Sequence, residues 1–170
     1  MDKNASIWDD EELYRSVRGE LDAEEYIFDR GKLQIRSNAF RDISKKPSVD
    51  RAKLKEFAPF CSKLSDTDGI VSLIAADVRA IGTVKTTVQN ADIVVHAVDV
   101  AYDPNPKSNP ENYAHSQIVV NPDFFDADIF DTDSKKERTF YKLKRALARL
   151  ATKRGWTLAP KIIKGLYQSK

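Results

Sequence analysis

Residues 92–102 read DIVVHAVDVAY and give the clearest strand signal in the chain. The run is long, nearly continuous in apolar residues and rich in valine and isoleucine, which fit the pleated surface of a sheet. A run with so little polar alternation predicts a central strand that is covered on both faces. The Pro/Asn-rich loop 103–112 follows, and residues 114–121 (AHSQIVVN) then predict a second strand, paired antiparallel with the first.

The second strong signal is an amphipathic helix near the C-terminus. Ser134 and Glu137 have the S-x-x-E spacing of a capping box, and Gly155 stands where a glycine ends a helix. Between them, apolar residues recur at every third or fourth position, as one buried helix face requires. The pattern therefore predicts a helix from Ser134 to about Gly155 that docks on the rest of the protein.

Shorter patterns predict the remaining elements. Residues 8–16 (WDDEELYRS) predict a short helix, and residues 26–35 (YIFDRGKLQI) predict a hairpin. Residues 53–64 (KLKEFAPFCSKL) have helical spacing interrupted by a proline, and residues 69–82 (GIVSLIAADVRAIG) predict a strand that turns into a helix, or a helix throughout. The sum is an α+β fold: a small mixed or antiparallel sheet with hairpins, packed by helices including the C-terminal one.

Length and composition place the chain among globular proteins. At 170 residues, with 41% apolar and 32% charged residues, we expect one domain over residues 1–170, with residues 1–12 flexible and residues 156–170 forming a C-terminal extension. Cys61 has no disulfide partner, and its apolar neighbours at helical spacing predict a buried thiol. The single thiol, the polar N-terminus and the lack of an apolar run of about 20 residues predict a cytoplasmic protein without a membrane span.

Charge is distributed unevenly along the chain. From Ser134 to Lys170 there are 12 Lys and Arg residues against one acidic residue, Glu137, which gives a net charge of +11. The preceding 133 residues carry a net charge of −9, so the whole chain is only at +2. Such segregation favours a negatively charged partner or an electrostatic match within the protein.

The first candidate site is centred on His115, at the junction of the Pro/Asn loop and the second strand. Histidine exchanges protons near neutral pH, so His115 is a candidate general acid or base, with Asp50 as the carboxylate that orients it. The alternative is a structural histidine that hydrogen-bonds the loop backbone. His96 lies among valines and is predicted to be a satisfied core residue. The chain has no HExxH motif and no Cys/His cluster, so no metal site is predicted.

The second candidate site lies in a polar run rich in arginine, serine and aspartate. Arginines form bidentate hydrogen bonds to oxyanions, and serine hydroxyls complete such a shell. The residues assigned to this phosphate or nucleotide site are Arg36, Ser37, Ser48, Arg51 and Arg79. Solvated turns have the same composition, and that alternative stays open. The chain contains no Walker A, G-x-G-x-x-G or G-x-S-x-G motif, so no cofactor is predicted.

The third candidate site is the basic surface of the C-terminal helix. Several Lys and Arg side chains on one helix suit contact with a phosphate backbone, or with an acidic protein partner. The residues assigned to this surface are Lys135, Lys136, Arg138, Lys142, Arg145, Arg149, Lys153 and Arg154. The alternative is a solvated helix face that is balanced by the acidic N-terminal part.

The order of four motifs resembles a group of short, uncharacterised bacterial proteins. The motifs are SNAFRD, SVDRAKL, the segment ending in RAIG, and DPNPKSNPENYAHSQIV, which together span residues 36–119. This chain departs from the group by carrying the extra strand 92–102 and the long basic C-terminus. The resemblance implies a prokaryotic cytosolic protein and names shared positions: Ser37, Phe40, Asp42, Ser48, Asp50, Arg79 and His115. It names no reaction, because no activity is established for the group.

Two functions follow as hypotheses. The first is a small bacterial accessory or binding module that contacts nucleic acid, or an acidic protein partner, through the basic C-terminal helix. The second is an enzyme acting on a phosphorylated or nucleotide-like substrate, with His115 as acid or base and with Arg36 or Arg79 holding the oxyanion. The second requires these side chains to converge in one cleft.

Overall fold

The computed structural model of the protein describes residues 6–87, 93–125 and 133–161. Seven strands form an antiparallel sheet in the order β6–β7–β8–β4–β1–β5–β9, and β2 pairs with β3 in a separate hairpin. The strands are β1 (Glu12–Val17), β2 (Tyr26–Asp29), β3 (Lys32–Ile35), β4 (Ser48–Arg51), β5 (Gly69–Ile74), β6 (Thr83–Thr87), β7 (Ile93–Tyr102), β8 (His115–Asn121) and β9 (Trp156–Leu158). The helices are α1 (Ala75–Ala80) and α2 (Asp133–Arg154). The α+β fold is confirmed.

Helix α2 packs across one face of the large sheet, which is called the helix face below. Its Phe140, Leu143 and Leu147 are buried in one core with Val98 and Ile118 of β7 and β8. Complete burial of such a side chain stabilises the fold by about 1.5–3 kcal/mol. Successive strand residues point to opposite faces, so the odd-numbered residues of β7 and β8 lie on the other face, the open face.

The antiparallel pairing of β7 with β8 is confirmed, but burial of β7 on both faces is not. Tyr102 faces Ser116 at one end of this ladder and Ala97 faces Asn121 at the other. On the open face, Ile93 is 60% and Val95 45% exposed. The prediction failed because the exposed positions of β7 are apolar too, which hides the two-residue alternation that marks a half-exposed strand.

The predicted helix over residues 8–16 is wrong, because residues 12–17 form β1. This strand pairs with β5 along its full length, from Glu12 facing Ile74 to Val17 facing Gly69. The acidic residues at its start favour a helix locally, and sheet pairing overrides that preference. The predicted hairpin over residues 26–35 is confirmed as β2–β3. Of the two alternatives for residues 69–82, the structure has the first, a strand that turns into helix α1.

The predicted helix over residues 53–64 is also wrong, and with it the burial of Cys61. This segment consists of two 3-10 helices, Ala52–Lys55 and Pro59–Ser62. The chain between them passes through positive φ at Glu56 and Phe57, which breaks the helical spacing. Cys61 is therefore exposed.

Helix α2 ends as predicted and starts one residue early. Its last residue is Arg154, and Gly155 follows at φ +77, where glycine has no steric penalty. Ser134 lies inside the helix, and Glu137 forms an ion pair with Lys45. Residues 156–158, part of the predicted extension, form β9 on β5.

Some predicted features lie outside the described residues. They are residues 1–5 of the predicted flexible N-terminus, the start of the strand at Asp92 and residues 162–170 of the extension. None of the helices in the three described ranges has the length and apolar character needed to cross a membrane.

Candidate anion-binding cleft

A cleft of about 550 Å³ lies between helix α2 and the β2–β3 hairpin, and the charged residues that line it within the described ranges are all cationic. We call it the basic cleft. Its cationic side chains are Arg36, Arg145, Arg149 and Lys153. Its other lining residues are Ile27, Gln34, Ile35, Ser37, Tyr141, Ala148 and Thr152. Among the described residues, no carboxylate forms an ion pair with any of the four cations. Within the part of the chain that the structure describes, the cleft therefore concentrates positive charge without an ion-paired carboxylate.

The basic cleft forms because the hairpin is tied to the helix by a hydrogen bond. The backbone N–H of Ile35, the last residue of β3, donates to Thr152 Oγ1 at 2.9 Å. The Thr152 hydroxyl in turn donates to Ala148 O at 2.7 Å in its own helix. Arg36 and Ser37 follow Ile35 directly, so this contact places them beside the exposed face of α2. The predicted phosphate residues Arg36 and Ser37 thus meet the predicted basic helix.

Five cations form a ridge along the exposed side of α2. They are Arg138, Lys142, Arg145, Arg149 and Lys153, all exposed. Their spacing of three or four residues keeps them on one side of the helix, over a length of about 22 Å. Lys142 donates to Lys85 O at 2.7 Å, while Arg145, Arg149 and Lys153 line the basic cleft.

An exposed aromatic ring stands at the edge of the basic cleft. Tyr141 is 47% exposed, and the Arg145 guanidinium lies 5.7 Å from its ring centroid. This residue was missed by the sequence reasoning, which considered only charges on the helix. Its position four residues before Arg145 is the signal that would have found it, since residues at that spacing are neighbours on a helix surface.

The other predicted helix cations have different surroundings. Arg154 donates to Ser72 Oγ at 3.0 Å and pairs with Glu12 at 3.2 Å, so it faces the sheet. The Lys136 ammonium lies 4.6 Å from the centroid of the Phe125 ring. Lys135 is partly buried and accepts a hydrogen bond from Thr139 at its carbonyl oxygen. None of the three lines the basic cleft.

His115 and Asp50 are neighbours on the open face of the sheet. They face each other across β8 and β4. The Arg51 N–H donates to Ala114 O next to them, so the pair is of the non-hydrogen-bonded kind, with Cα atoms about 4.5 Å apart. His115 Nδ1–H donates to the Asp103 carbonyl at 2.5 Å, which is the loop–backbone contact of the structural alternative.

Asp50 has partners of its own. Its carboxylate accepts a hydrogen bond from Asn112 Nδ2 at 2.8 Å, and Lys55 Nζ lies 3.7 Å from the other oxygen. These contacts hold the Pro/Asn loop and the 3-10 helix Ala52–Lys55 against the sheet. His115 Nδ1 is instead oriented by Asp103, through the hydrogen bond to its backbone carbonyl. The Asp103 carboxylate oxygen Oδ2 also lies 3.6 Å from the same nitrogen.

The remaining members of the predicted phosphate site lie elsewhere. Arg51 is 2% exposed and paired with Glu11. Arg79 donates to Asp99 at 2.7 Å and pairs with Asp9, and the Asp99 hydrogen bond raises the pKa of its guanidinium. Ser48 Oγ lies 3.5 Å from Asp42. Each of these side chains already has a partner inside the fold.

The structure thus divides the predicted sites into two groups on opposite faces of the sheet. Arg36 and Ser37 join the α2 cations beside the helix face, while His115 and Asp50 lie on the open face. Arg79 contacts strand β7 at Asp99. Asp99 lies four residues before Asp103, the partner of His115, and four extended residues span roughly 13 Å. The geometry does not bring Arg36 or Arg79 to His115.

Comparisons with known proteins leave function to be argued from this geometry. No protein-family model, no curated protein and no solved structure matches the chain. Within residues 6–87, 93–125 and 133–161, no three His, Cys, Asp or Glu side chains are grouped as metal ligands. The basic cleft, with its four cationic side chains, is the feature that points to a ligand.

Proposed function

We propose that this protein binds nucleic acid, and single strands in particular, through the basic cleft and the cation ridge of helix α2. The observation that carries the proposal is that Arg36, Arg145, Arg149 and Lys153 line one cleft. None of the described residues that line this cleft is acidic. Protein cations held close together and left without carboxylate partners are stabilised by an anionic ligand. Phosphates of a nucleic-acid backbone supply such anions at regular spacing.

Arginine at three of the four cationic positions favours phosphate over a generic anion. A guanidinium presents a planar fork of N–H donors that matches two phosphate oxygens, whereas an ammonium acts as a point charge. The Ser37 hydroxyl and the Gln34 amide in the same lining add uncharged donors. This combination supports phosphate contacts that position a strand without reading its sequence.

Tyr141 supports a single strand over a duplex. Proteins that bind single strands combine a positively charged groove with exposed aromatic rings on which bases stack. Tyr141 supplies one such ring beside Arg145. Duplex bases are already stacked on each other, so they gain nothing from the ring.

The proposal extends to the setting of the protein. We place it in the bacterial cytoplasm as a small accessory module, which the free thiol of Cys61 and the resemblance to bacterial proteins support. An acidic protein partner would bind the same cations but would not need Tyr141 for base stacking. The experiment below distinguishes such a partner from nucleic acid.

The test is fluorescence anisotropy of a labelled single-stranded oligonucleotide titrated with the full chain at low salt. We expect saturable binding that weakens as salt rises, and weaker binding to the duplex of the same sequence. Arg149→Glu should weaken binding strongly, whereas Lys107→Glu should not, since Lys107 is an exposed cation of the distant Pro/Asn loop. Unaltered binding in Arg149→Glu contradicts the cleft as the site. Binding to polyglutamate but not to the oligonucleotide assigns the surface to an acidic protein.

A second candidate, acid–base catalysis on a phosphorylated or nucleotide-like substrate, is favoured by the Asp50–His115 neighbourhood alone. Asp103 orients the His115 ring, and Lys55, whose Nζ lies 3.7 Å from the Asp50 carboxylate, is a cation beside the pair. The proposal predicts hydrolysis of nucleoside triphosphates or p-nitrophenyl phosphate that is abolished by His115→Gln. If the wild-type chain turns over neither substrate, or if His115→Gln retains the activity, this candidate fails.

A further inference from the structure

A second crevice, of about 620 Å³, lies beside the C-terminal half of strand β1, with Arg15, Arg41 and Asp68 in its lining. Strands β1 and β4 are paired only at Leu13–Arg51 and Tyr14–Asp50. Beyond that point the Arg15 side chain reaches across, and its Nη1 donates to Ser48 O at 2.7 Å. The Arg15 side chain thus bridges the two strands where their backbone ladder ends, and the same side chain lines the crevice. We call it the strand crevice.

The cationic side of the strand crevice is Arg15. Its Nε–H donates to Ala39 O at 2.9 Å, and its Nη2 donates to Arg41 O at 3.2 Å, in addition to the Ser48 contact. These three bonds go to neutral carbonyls and leave two of its five N–H groups for another acceptor. No carboxylate of a described residue forms an ion pair with Arg15. Burial lowers the pKa of this guanidinium, in keeping with a charge that lacks a direct counter-ion.

The anionic side of the strand crevice is Glu25, which is 6% exposed. One of its oxygens accepts the Arg18 backbone N–H at 2.7 Å. The other oxygen accepts no hydrogen bond from the described residues and has only two distant cations, Arg18 Nε at 3.8 Å and Arg41 Nη2 at 3.9 Å. Burial raises the pKa of Glu25, and its arginine neighbours offset that rise only in part.

A purely structural ion pair in this protein looks different. Arg51 and Glu11 close on each other with two hydrogen bonds of 2.6 and 2.7 Å. Arg15 and Glu25 line one crevice yet form no such bond. Asp68, the other buried acid of the lining, is already used by Ser16 Oγ at 2.8 Å and by the Ser65 backbone N–H at 3.1 Å. At Arg15 and Glu25, the groups left for a ligand are therefore two guanidinium N–H donors and one carboxylate oxygen. The exposed side chains of Arg18, Glu20, Asp22 and Arg41 also belong to the charged lining.

We propose that the strand crevice binds a small zwitterion of the amino-acid or dipeptide class. The ligand carboxylate binds the Arg15 donors and the exposed guanidinium groups of Arg18 and Arg41, and the ligand ammonium donates to Glu25. Mixed charge in the lining argues against a polyanion here, so this site is separate from the basic cleft. The volume falls within the range of about 300–1,000 Å³ that is typical of small-molecule sites.

The experiment is a titration of the full chain, followed by ¹H–¹⁵N NMR, with the common L-amino acids and with alanyl-alanine, each supplied separately. At least one probe should give saturable shifts at residues lining the strand crevice. Its C-terminal amide and its N-acetyl derivative, which remove the carboxylate and the ammonium respectively, should each bind about tenfold more weakly or worse. The absence of any saturable probe, or binding of either derivative as tight as that of the unmodified probe, overturns the proposal.

Variants locate the site and separate it from the basic cleft. Arg41→Ala and Glu25→Gln should each weaken binding of the active probe by about tenfold or more. Arg41 is half-exposed, so its replacement leaves the core intact. Glu25→Gln should lose its advantage for the free amine over the N-acetyl derivative. Arg149→Ala, in the basic cleft, should leave probe binding unchanged. Probe binding that Arg149→Ala abolishes and Arg41→Ala spares contradicts the assignment.

Discussion

Arg51 and Glu11 form a two-bond ion pair in the protein interior. Arg51 Nε donates to one Glu11 oxygen at 2.7 Å and Nη2 donates to the other at 2.6 Å, with both side chains almost fully buried. Arg51 Nη2 also donates to Ser6 O at 3.0 Å, and the guanidinium lies 5.2 Å from the Tyr102 ring centroid. The pair joins β4 to the segment that precedes β1 and so ties the N-terminal residues to the sheet.

Replacement of Arg51 by methionine should lower the free energy of unfolding by about 3–5 kcal/mol. The reason is that the variant leaves the Glu11 carboxylate buried without its counter-ion. Urea unfolding followed by circular dichroism measures the change. A loss below about 1 kcal/mol contradicts a structural role for the pair.

The double replacement Glu11→Leu with Arg51→Met provides the comparison. Apolar side chains of similar size often replace a buried ion pair with little loss, because neither charge has to be desolvated. The double variant should therefore be more stable than Arg51→Met alone. If the stability loss in the double variant equals the sum of the losses in Glu11→Leu and Arg51→Met, the two side chains do not act as a pair.

Arg51 also shows why the sequence predicted some site residues and not others. Arg36 and Arg51 have similar polar neighbours in sequence, and both were assigned to a phosphate site. The partner that buries Arg51 lies 40 residues earlier in the chain, and the cations that gather around Arg36 lie more than 100 residues later. Neither distance can be deduced from local composition, because both depend on how strands pair and where α2 docks.

The fold was more predictable than the sites for a related reason. Helix α2, the β2–β3 hairpin and the β7–β8 pair carry their signals within each segment, as periodicity, turn residues or a capping glycine. Strand β1 carries a helix-favouring acidic start and becomes a strand only through its pairing with β5. The strand crevice brings Arg15, Arg41 and Asp68 together from separate parts of the chain, which no local pattern encodes.

Glu25→Gln should stabilise the protein at neutral pH and have no effect in acid. Burial raises the pKa of Glu25 in the folded state above its ordinary value of 4.5. The folded state therefore holds a proton that the unfolded state has released, and wild-type stability falls as pH rises from 4.5 to the folded pKa. Glutamine does not titrate, so the advantage of the variant should appear across that window and then stay constant. Melting temperatures measured between acid and neutral pH give the profile.

Glu11→Gln is the matched control, because its effect should have the opposite sign. Burial alone raises the pKa of Glu11, but the Arg51 hydrogen bond and charge outweigh it and the net shift is downward. The ionised carboxylate thus stabilises the fold above 4.5, and that contribution disappears as pH falls through the lowered folded pKa. The variant should be less stable than wild type at neutral pH, with a difference that shrinks in acid. Identical profiles for the two variants contradict the assigned surroundings of both residues.

Thr86→Val should destabilise the protein by about 1–3 kcal/mol, although valine has nearly the same shape. The buried Thr86 hydroxyl lies 3.0 Å from His96 Nε2 and donates to Thr139 Oγ1 at 2.8 Å, which links β6 and β7 to helix α2. Valine removes one partner from each of these buried groups. Thr83→Val, at an exposed position of the same strand, should change stability by less than about 0.5 kcal/mol. Equal effects in chemical denaturation contradict the buried hydroxyl link.

Tyr141→Ala should weaken binding of single-stranded oligonucleotide without changing its salt dependence. A base stacked on an aromatic ring contributes about 1–3 kcal/mol, which corresponds to roughly five- to hundredfold in affinity. The salt slope reflects phosphate contacts, and each cation removed from a single-strand site should lower it by about 0.7. Arg149→Ala should therefore flatten the slope, while Tyr141→Ala should shift the whole plot of log affinity against log salt in parallel. Tyr113→Ala, at a similarly exposed tyrosine of the Pro/Asn loop, is the control and should have no effect. If Tyr141→Ala shifts the plot in parallel for single strands but not for duplex DNA, the tyrosine stacks on a base. If the affinity of Tyr141→Ala for single strands is unchanged, Tyr141 is not part of the site.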